Sequence, residues 1–272
     1  MDPFNGRVAV VTGAAGGIGS ALAHALAERG ARLALADLDE AGLERLTEEL
    51  ELRGTESIAV PTDVSRRESV EALAEATLRR FGAVHLVCNN AGVATAGELA
   101  TAAHEAWEST MAVNFWGVVH GIESFVQRLI EQGQGGHVMN TASMAGLTGM
   151  QWLGVYSASK FAIVGVSEAL RRELQPHEIG VSVLCPMMVN TQMTLKSFGI
   201  RTDPQPSQAE APSADAFVGK LISPEEVAKR AIRGIERNDL YIVTHPEQRD
   251  ILRRRAARLD AMFADEVWPL SE

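Results

Sequence analysis

The chain has 272 residues, a formal net charge of −10, a pI near 5.3, and 46% hydrophobic against 22% charged residues. That mix excludes a disordered chain and fits one large α/β domain or two small ones. The acidic balance argues against nucleic acid as the main partner.

From the amino end, MDPFNGR lacks a basic segment followed by an apolar core, so it does not read as a secretory leader. The uncharged run at 8–27 breaks into a strand and a helix at its glycines, and no membrane segment is expected. The expected location is cytoplasmic. Short β-rich runs follow at 7–12, 32–37, 57–63, 84–89, 137–143 and 181–186, with a last one at 240–243, and helical patterns fill the gaps. The runs are continuously apolar, as in parallel strands covered on both faces. The predicted fold is a Rossmann-type, doubly wound, seven-stranded parallel sheet in a single domain over 1–272. Cys88 and Cys185 each end such a run and read as buried small hydrophobes in a reduced compartment. With no zinc-type cluster of Cys and His, no metal is expected.

The first strand runs into TGAAGGIG at 12–19. Glycines between a strand and a helix let the backbone approach a pyrophosphate, which the helix N-terminus then binds. The second strand ends at Asp37, twenty residues after Gly17, where a carboxylate accepts from an adenosine ribose and repels a 2′-phosphate. Leu38 follows it, and no Arg or Lys stands at 14–16, so NAD is favoured over NADP. Asp39 is available as a helix cap. Tyr156 and Lys160 in YSASK are four apart, one turn apart on the same face of a helix. An ammonium beside a phenol favours the phenolate.

Towards the carboxyl end, 202–217 is rich in Pro, Ala and Ser without periodicity. It is either a passive loop or a mobile lid, and the substrate-binding loop is placed at 190–222. A terminal helix is predicted over 245–265. Its solvated face carries Arg253, Arg254 and Arg255, and its buried stripe Leu252, Ala256, Leu259 and Phe263.

Taken in order, TGAAGGIG at 12–19, TDVS at 62–65, NNAG at 89–92, VNFWG at 113–117, Ser143 in NTASMAG and YSASK at 156–160 resemble the short-chain dehydrogenase/reductase family over nearly the whole chain. The resemblance implies a catalytic set of Asn114, Ser143, Tyr156 and Lys160. Tyr156 would be the general acid/base, Lys160 its electrostatic partner and the holder of the nicotinamide ribose, and Ser143 the donor to the substrate oxygen. Asn114 would sit mid-helix and hold a water that relays protons. The cofactor would meet Gly13, Ala15, Gly16, Ile18, Asp37, Leu38, Asp63, Val64, Asn90, Ala91, Gly92, Tyr156, Lys160, Pro186, Val189 and Thr191. The chain departs from the family at CPMMVNT, where Met187 replaces a glycine, so this turn is expected to follow a different path if φ > 0 is needed there.

Candidate pocket side chains are Ser143, Met144, Leu147, Met150, Trp152, Leu153, Met187, Met188 and Met193, with Gln151 and Gln192 as polar exceptions. Methionines and an aromatic suit a bulky apolar ligand of aryl, steroid-like or lipid-like character. The expected reaction interconverts a secondary alcohol and a ketone. A polyol or sugar dehydrogenase and a keto-acyl reductase are the alternatives. The latter would need more basic residues near the entrance than Lys196 and Arg201. A dinucleotide-binding redox sensor is the non-enzyme alternative. The resemblance also implies a homo-oligomer, tetramer or dimer.

Overall fold

In a computed structural model, described here for residues 3–197 and 219–263, the chain forms a seven-stranded sheet of order β3-β2-β1-β4-β5-β6-β7. The strands are β1 (Val8–Thr12), β2 (Arg32–Asp37), β3 (Ser57–Pro61), β4 (Leu86–Asn89), β5 (Gly136–Thr141), β6 (Ile179–Cys185) and β7 (Tyr241–Val243). Every neighbouring pair is parallel, as the apolar runs predict.

Alternation along each strand feeds two cores. Ala9 and Val11 of β1 and Leu33 and Leu35 of β2 join one core, which also takes residues from α1 (Gly17–Ala27), α2 (Glu40–Leu52) and α8 (Pro224–Glu236). Val8, Val10, Ala34 and Ala36 join the other, with α3 (Arg67–Phe81), α5 (Gly117–Gln132) and α6 (Gly154–Leu174). Leu22 and Leu26 of α1 are completely buried in the first core. Truncating either to alanine costs about 2–5 kcal/mol.

Local chemistry sets the helix ends. Asp39 caps α2, its carboxylate accepting from the Gly42 N–H at 3.0 Å. Ser223 caps α8, with Pro224 at its first position. Gly82 closes α3 at φ +75°. Because β1 lies between β2 and β4, consecutive crossovers leave it in opposite directions. That switch point opens a crevice at the carboxyl ends of the strands.

Two expectations change here. Asn114 lies in a π-helical turn, Ala112–Trp116, between α4 (His104–Met111) and α5, rather than in regular α-helix. The terminal helix forms as α9 (Arg249–Asp260), but its apolar stripe is not buried: Ala256 is exposed, and Leu259 and Phe263 are 52% and 83% exposed. Helical periodicity marks an apolar face without specifying what covers it. Among the described residues little does, although the Arg255 guanidinium lies 5.6 Å from the centre of the Phe161 ring. The 202–217 segment lies outside the described residues, as does most of the 190–222 loop. The part of that loop before the gap starts as α7 (Gln192–Ser197).

Candidate active site

The glycine loop is joined to the end of β4 through Thr12. Its hydroxyl accepts from the N–H groups of Asn90 at 2.9 Å and Ala91 at 3.1 Å, and its carbonyl accepts from the Asn90 side chain at 3.0 Å. Asn90 Oδ1 in turn accepts from the Thr141 hydroxyl at 3.2 Å. Gly13 stands at φ +66°, and a Cβ there would meet Ala91 Cα at 2.8 Å. At Gly19 a Cβ would lie 2.0 Å from the Gly13 carbonyl oxygen, so α1 can pack on the loop only through glycine. The cradle left above α1 presents the first N–H groups of that helix, which have no intrahelical partner by construction.

Asp37 sits at the rim of this cradle. One carboxylate oxygen accepts from the Ala15 N–H at 2.9 Å and the other from the Asp39 N–H at 3.1 Å. Leu38 is 69% exposed beside it. Asp63 accepts from the backbone and hydroxyl of Ser65 at 2.9 and 2.6 Å, which fixes the turn after β3. These residues line one continuous cleft of about 590 Å³ together with Gly16, Ile18, Val64, Asn90, Gly92, Pro186, Val189 and Thr191. That volume lies within the range of small-molecule and cofactor sites. Every residue expected at the cofactor lines it.

Ser143, Tyr156 and Lys160 line the same cleft. The i, i+4 spacing on α6 places the Lys160 ammonium 5.5 Å from the centre of the Tyr156 ring. Lys160 is 3% exposed and donates to the Thr141 carbonyl at 2.9 Å. Burial lowers its pKa to about 8. Burial raises that of Tyr156 to about 12, against the opposing hydrogen bond of the Ser143 hydroxyl. Ser143 opens a short 3₁₀ turn, its Oγ accepting from the Ala145 N–H at 3.1 Å and donating to the Pro186 carbonyl at 3.3 Å. The ends of β5 and β6 thus hold the serine opposite the tyrosine.

Asn114 is fully buried. Its Nδ2 donates to the Val93 carbonyl and to the Ser159 hydroxyl, each at 3.0 Å, and its Oδ1 accepts from the Val93 N–H at 2.8 Å. A Cβ on Gly92 would lie 3.1 Å from Asn114 Oδ1 and 3.5 Å from Lys160 Nζ, so this glycine keeps the space between amide and ammonium open. The π turn aims one asparagine into that space, a recurrent use of such turns.

The pocket expectations divide. Met150, Leu153, Met187, Met188 and Met193 line a small recess of about 50 Å³ beside Ser143 and Tyr156, joined by Ala94 and Thr194. Gln192 lines the larger cleft. Met144, Leu147 and Trp152 are not on either wall. Met144 is the first residue of the 3₁₀ turn that Ser143 caps, and it is completely buried. Trp152 takes a left-handed φ of +67° and offers its carbonyl to the Gly97 N–H at 2.8 Å. Met187 is not among the residues of positive φ, so the turn after β6 follows a path open to any side chain. Thr12, Thr141 and Ser159 position the site and were missing from the expected set. All three stand inside quoted motifs, TGAAGGIG, NTASMAG and YSASK, so motif reading could have supplied them.

Among the described residues, no three His, Cys, Asp or Glu side chains come together as metal ligands, and no helix is long and apolar enough to cross a membrane. Both cysteines are free and buried, and burial pushes each thiol up to about 12.

A doubly wound parallel sheet with a glycine cradle at its switch point, and a Ser-Tyr-Lys set beside that cradle, defines a dinucleotide-binding oxidoreductase. Residues 7–199 match the model of the family described as short chain dehydrogenase, and the chain belongs to that family. It is 36% identical over 256 residues to the oxidoreductase SadH of Mycobacterium tuberculosis, covering 93% of this chain and 92% of that one. It is 39% identical over 262 residues to the 1-deoxy-11-beta-hydroxypentalenate dehydrogenase of Streptomyces avermitilis, covering 96% and 89%. Among solved structures it is similar to a short-chain dehydrogenase/reductase from Burkholderia phymatum in complex with NAD, with TM-score 0.85 and 38% identity over 96% of this chain and 97% of that one.

Proposed function

We propose that this oxidoreductase uses NAD(H) to interconvert a secondary alcohol and a ketone on a bulky apolar substrate, with Tyr156 as general acid/base. The observation that carries the reading is the Tyr156–Lys160 stack facing Ser143 across one cleft. The glycine cradle, whose backbone path leaves no room for a Cβ at Gly13 or Gly19, fits a dinucleotide. Bound there, the nicotinamide supplies the hydride acceptor for oxidation and the donor for reduction.

The chain's own residues supply the rest. The Ser143 hydroxyl, oriented by the Ala145 N–H, turns its single proton from the Pro186 carbonyl to the substrate oxygen and stabilises its charge. Tyr156 takes the hydroxyl proton in oxidation and returns it in reduction. The half-buried Tyr156 phenol resists ionisation, and an ammonium beside it favours the phenolate. Lys160 uses one donor on Thr141 and turns its remaining protons to the cleft, where the ribose would lie. Asn114 holds Val93 beside the ammonium and offers the rest of its Oδ1 to a water.

Asp37 with exposed Leu38 beside it supports NAD over NADP. The methionine-lined recess supports an apolar substrate over a polyol, and the hydroxypentalenate dehydrogenase named above is consistent with that. The reading extends to a homo-oligomer, tetramer or dimer, built through the helices bearing Asn114 and Tyr156. A monomer by light scattering at micromolar concentration removes that part. NAD reduction by apolar secondary alcohols, lost in Tyr156→Phe, tests the whole reading; turnover confined to polyols overturns the substrate class.

A further inference from the structure

His245 follows β7 and is remote in sequence from the cofactor loop, yet its ring reaches the cleft wall. It is 1% exposed. Its Nε2 faces two carbonyl oxygens, Met188 at 3.2 Å and Lys220 at 3.0 Å. Its Nδ1 faces the Met187 N–H at 3.3 Å and the Thr244 hydroxyl at 2.7 Å. Carbonyl oxygens only accept, so Nε2 carries the proton, and Nδ1 accepts from Met187. One tautomer serves both segments, its single Nε2 proton shared between the two carbonyls and its single Nδ1 lone pair between the Met187 N–H and the Thr244 hydroxyl.

The ring therefore joins two segments that the fold also joins by backbone. Ile222 N–H donates to the Met188 carbonyl at 3.1 Å, and the Asn190 N–H to the Ile222 carbonyl at 2.9 Å. The turn just after His245 adds one hydrogen bond and one packed side chain. Glu247 accepts from the Lys220 N–H at 2.9 Å. The completely buried Gln248 side chain lies where a Cβ on Gly219 would be 3.2 Å from its Nε2 and 3.5 Å from Met187 Cγ. Met187 and Met188 are two of the methionines that form the recess beside Ser143 and Tyr156.

From this geometry we infer that His245 is a positioning residue that sets the Met187–Met188 wall of the substrate recess and, through it, which apolar alcohol fits. Ser143 donates to the carbonyl of Pro186, the residue just before this wall, so the brace acts on the substrate side of the cleft. The glycine cradle lies across the cleft, on β1 and α1, and His245 makes no contact with it among those the structure shows. In so small a recess, a shift of an ångström changes what fits, and misplacement of that order costs up to ~10²-fold in rate.

The kinetic part rests on the dehydrogenase reading; the backbone part does not. The test compares wild type with His245→Leu, which removes donor and acceptor, and His245→Gln, which keeps one of each. Hydrogen exchange of peptides covering 186–190 and 220–223 is measured together with the NADH dissociation constant and KM and kcat for one small and one bulky apolar secondary alcohol. In His245→Leu, exchange in both peptides is expected to rise about tenfold, and KM for the bulky alcohol to rise about tenfold relative to the small one. The NADH dissociation constant is expected to rise less than the KM for the bulky alcohol, since Pro186 and Val189 of the same segment also line the cofactor cleft, and His245→Gln restores most of the loss. Should the leucine variant not fold, His245→Asn is read instead, because its short amide cannot reach both segments and must show the same signature. Unchanged exchange at 186–190 overturns the proposal. So does an equal shift in alcohol KM and NADH dissociation constant, or a glutamine variant no better than leucine. If wild type turns over no alcohol, the dehydrogenase reading fails, and the exchange result alone decides whether His245 braces the turn.

Discussion

The Lys160 ammonium stands 5.5 Å from the centre of the Tyr156 ring while donating to the Thr141 carbonyl at 2.9 Å. A strand carbonyl thus holds the charge over the phenol. Tyr156→Phe is expected to lower kcat by about 10²–10⁴-fold with the NADH dissociation constant little changed. Lys160→Met is expected to lower kcat and also weaken NADH, since it removes both the charge and the ribose donor. Single-turnover rates and fluorescence titration of NADH separate the two effects. A phenylalanine variant with near wild-type kcat would remove Tyr156 from the chemistry.

Burial holds the tyrosine proton on, towards about 12, and takes the lysine proton off, towards about 8. Oxidation consumes the phenolate, so kcat/KM for the alcohol should rise with pH to a plateau, and that for the ketone should fall with it. The two groups share one neighbourhood, so the inflection belongs to the pair. Initial rates in both directions between about pH 6 and 9 check the opposed slopes. A flat oxidation profile contradicts the assignment.

Acid stability follows from a histidine outside the site. His137 on β5 is 8% exposed and bonded to Ser182, and burial aided by Arg171 lowers its pKa to about 4 from an ordinary 6.5. Between those values the unfolded chain binds a proton that the native chain refuses. Stability therefore rises with pH through this window and is lost as pH falls from 6.5 to 4, by on the order of 3 kcal/mol. Buried His85 shifts in the same direction, through burial first. Denaturant unfolding of His137→Asn should start from lower stability and lose less of it on acidification than wild type does.

The proposed preference for NAD rests on a carboxylate and an apolar neighbour, Asp37 and Leu38. Asp37→Ser with Leu38→Arg removes the repulsion of a 2′-phosphate and supplies a cation in its place. The NAD:NADP ratio of kcat/KM is expected to move towards NADP by about tenfold or more. No movement would place the discrimination elsewhere in the cleft.

The strands and the glycine loop were legible because their causes are local. Continuous apolar runs mark covered parallel strands, and Gly13 and Gly19 occur where φ or a 2.0 Å contact admits nothing else. The i, i+4 spacing of Tyr156 and Lys160 is likewise a property of one helix. What failed depends on contacts between distant segments. Met144 and Met187 look alike in a sequence, and only the 3₁₀ turn that buries one separates them. Trp152 is absent from both walls, and its left-handed φ of +67° is a conformation that no sequence pattern predicts for a tryptophan. The π turn at Asn114 keeps an ordinary helical pattern. His245 was missed because its partners Met187, Met188 and Lys220 lie 25 to 58 positions away.

The most direct measurement is the appearance of NADH absorbance when wild type and Tyr156→Phe meet NAD with a panel of secondary alcohols, from aryl and steroid alcohols to polyols. The account predicts NADH formation with the apolar alcohols, little with polyols, and none above background in Tyr156→Phe. Equal rates in wild type and Tyr156→Phe, or NADH formed only from polyols, would contradict it.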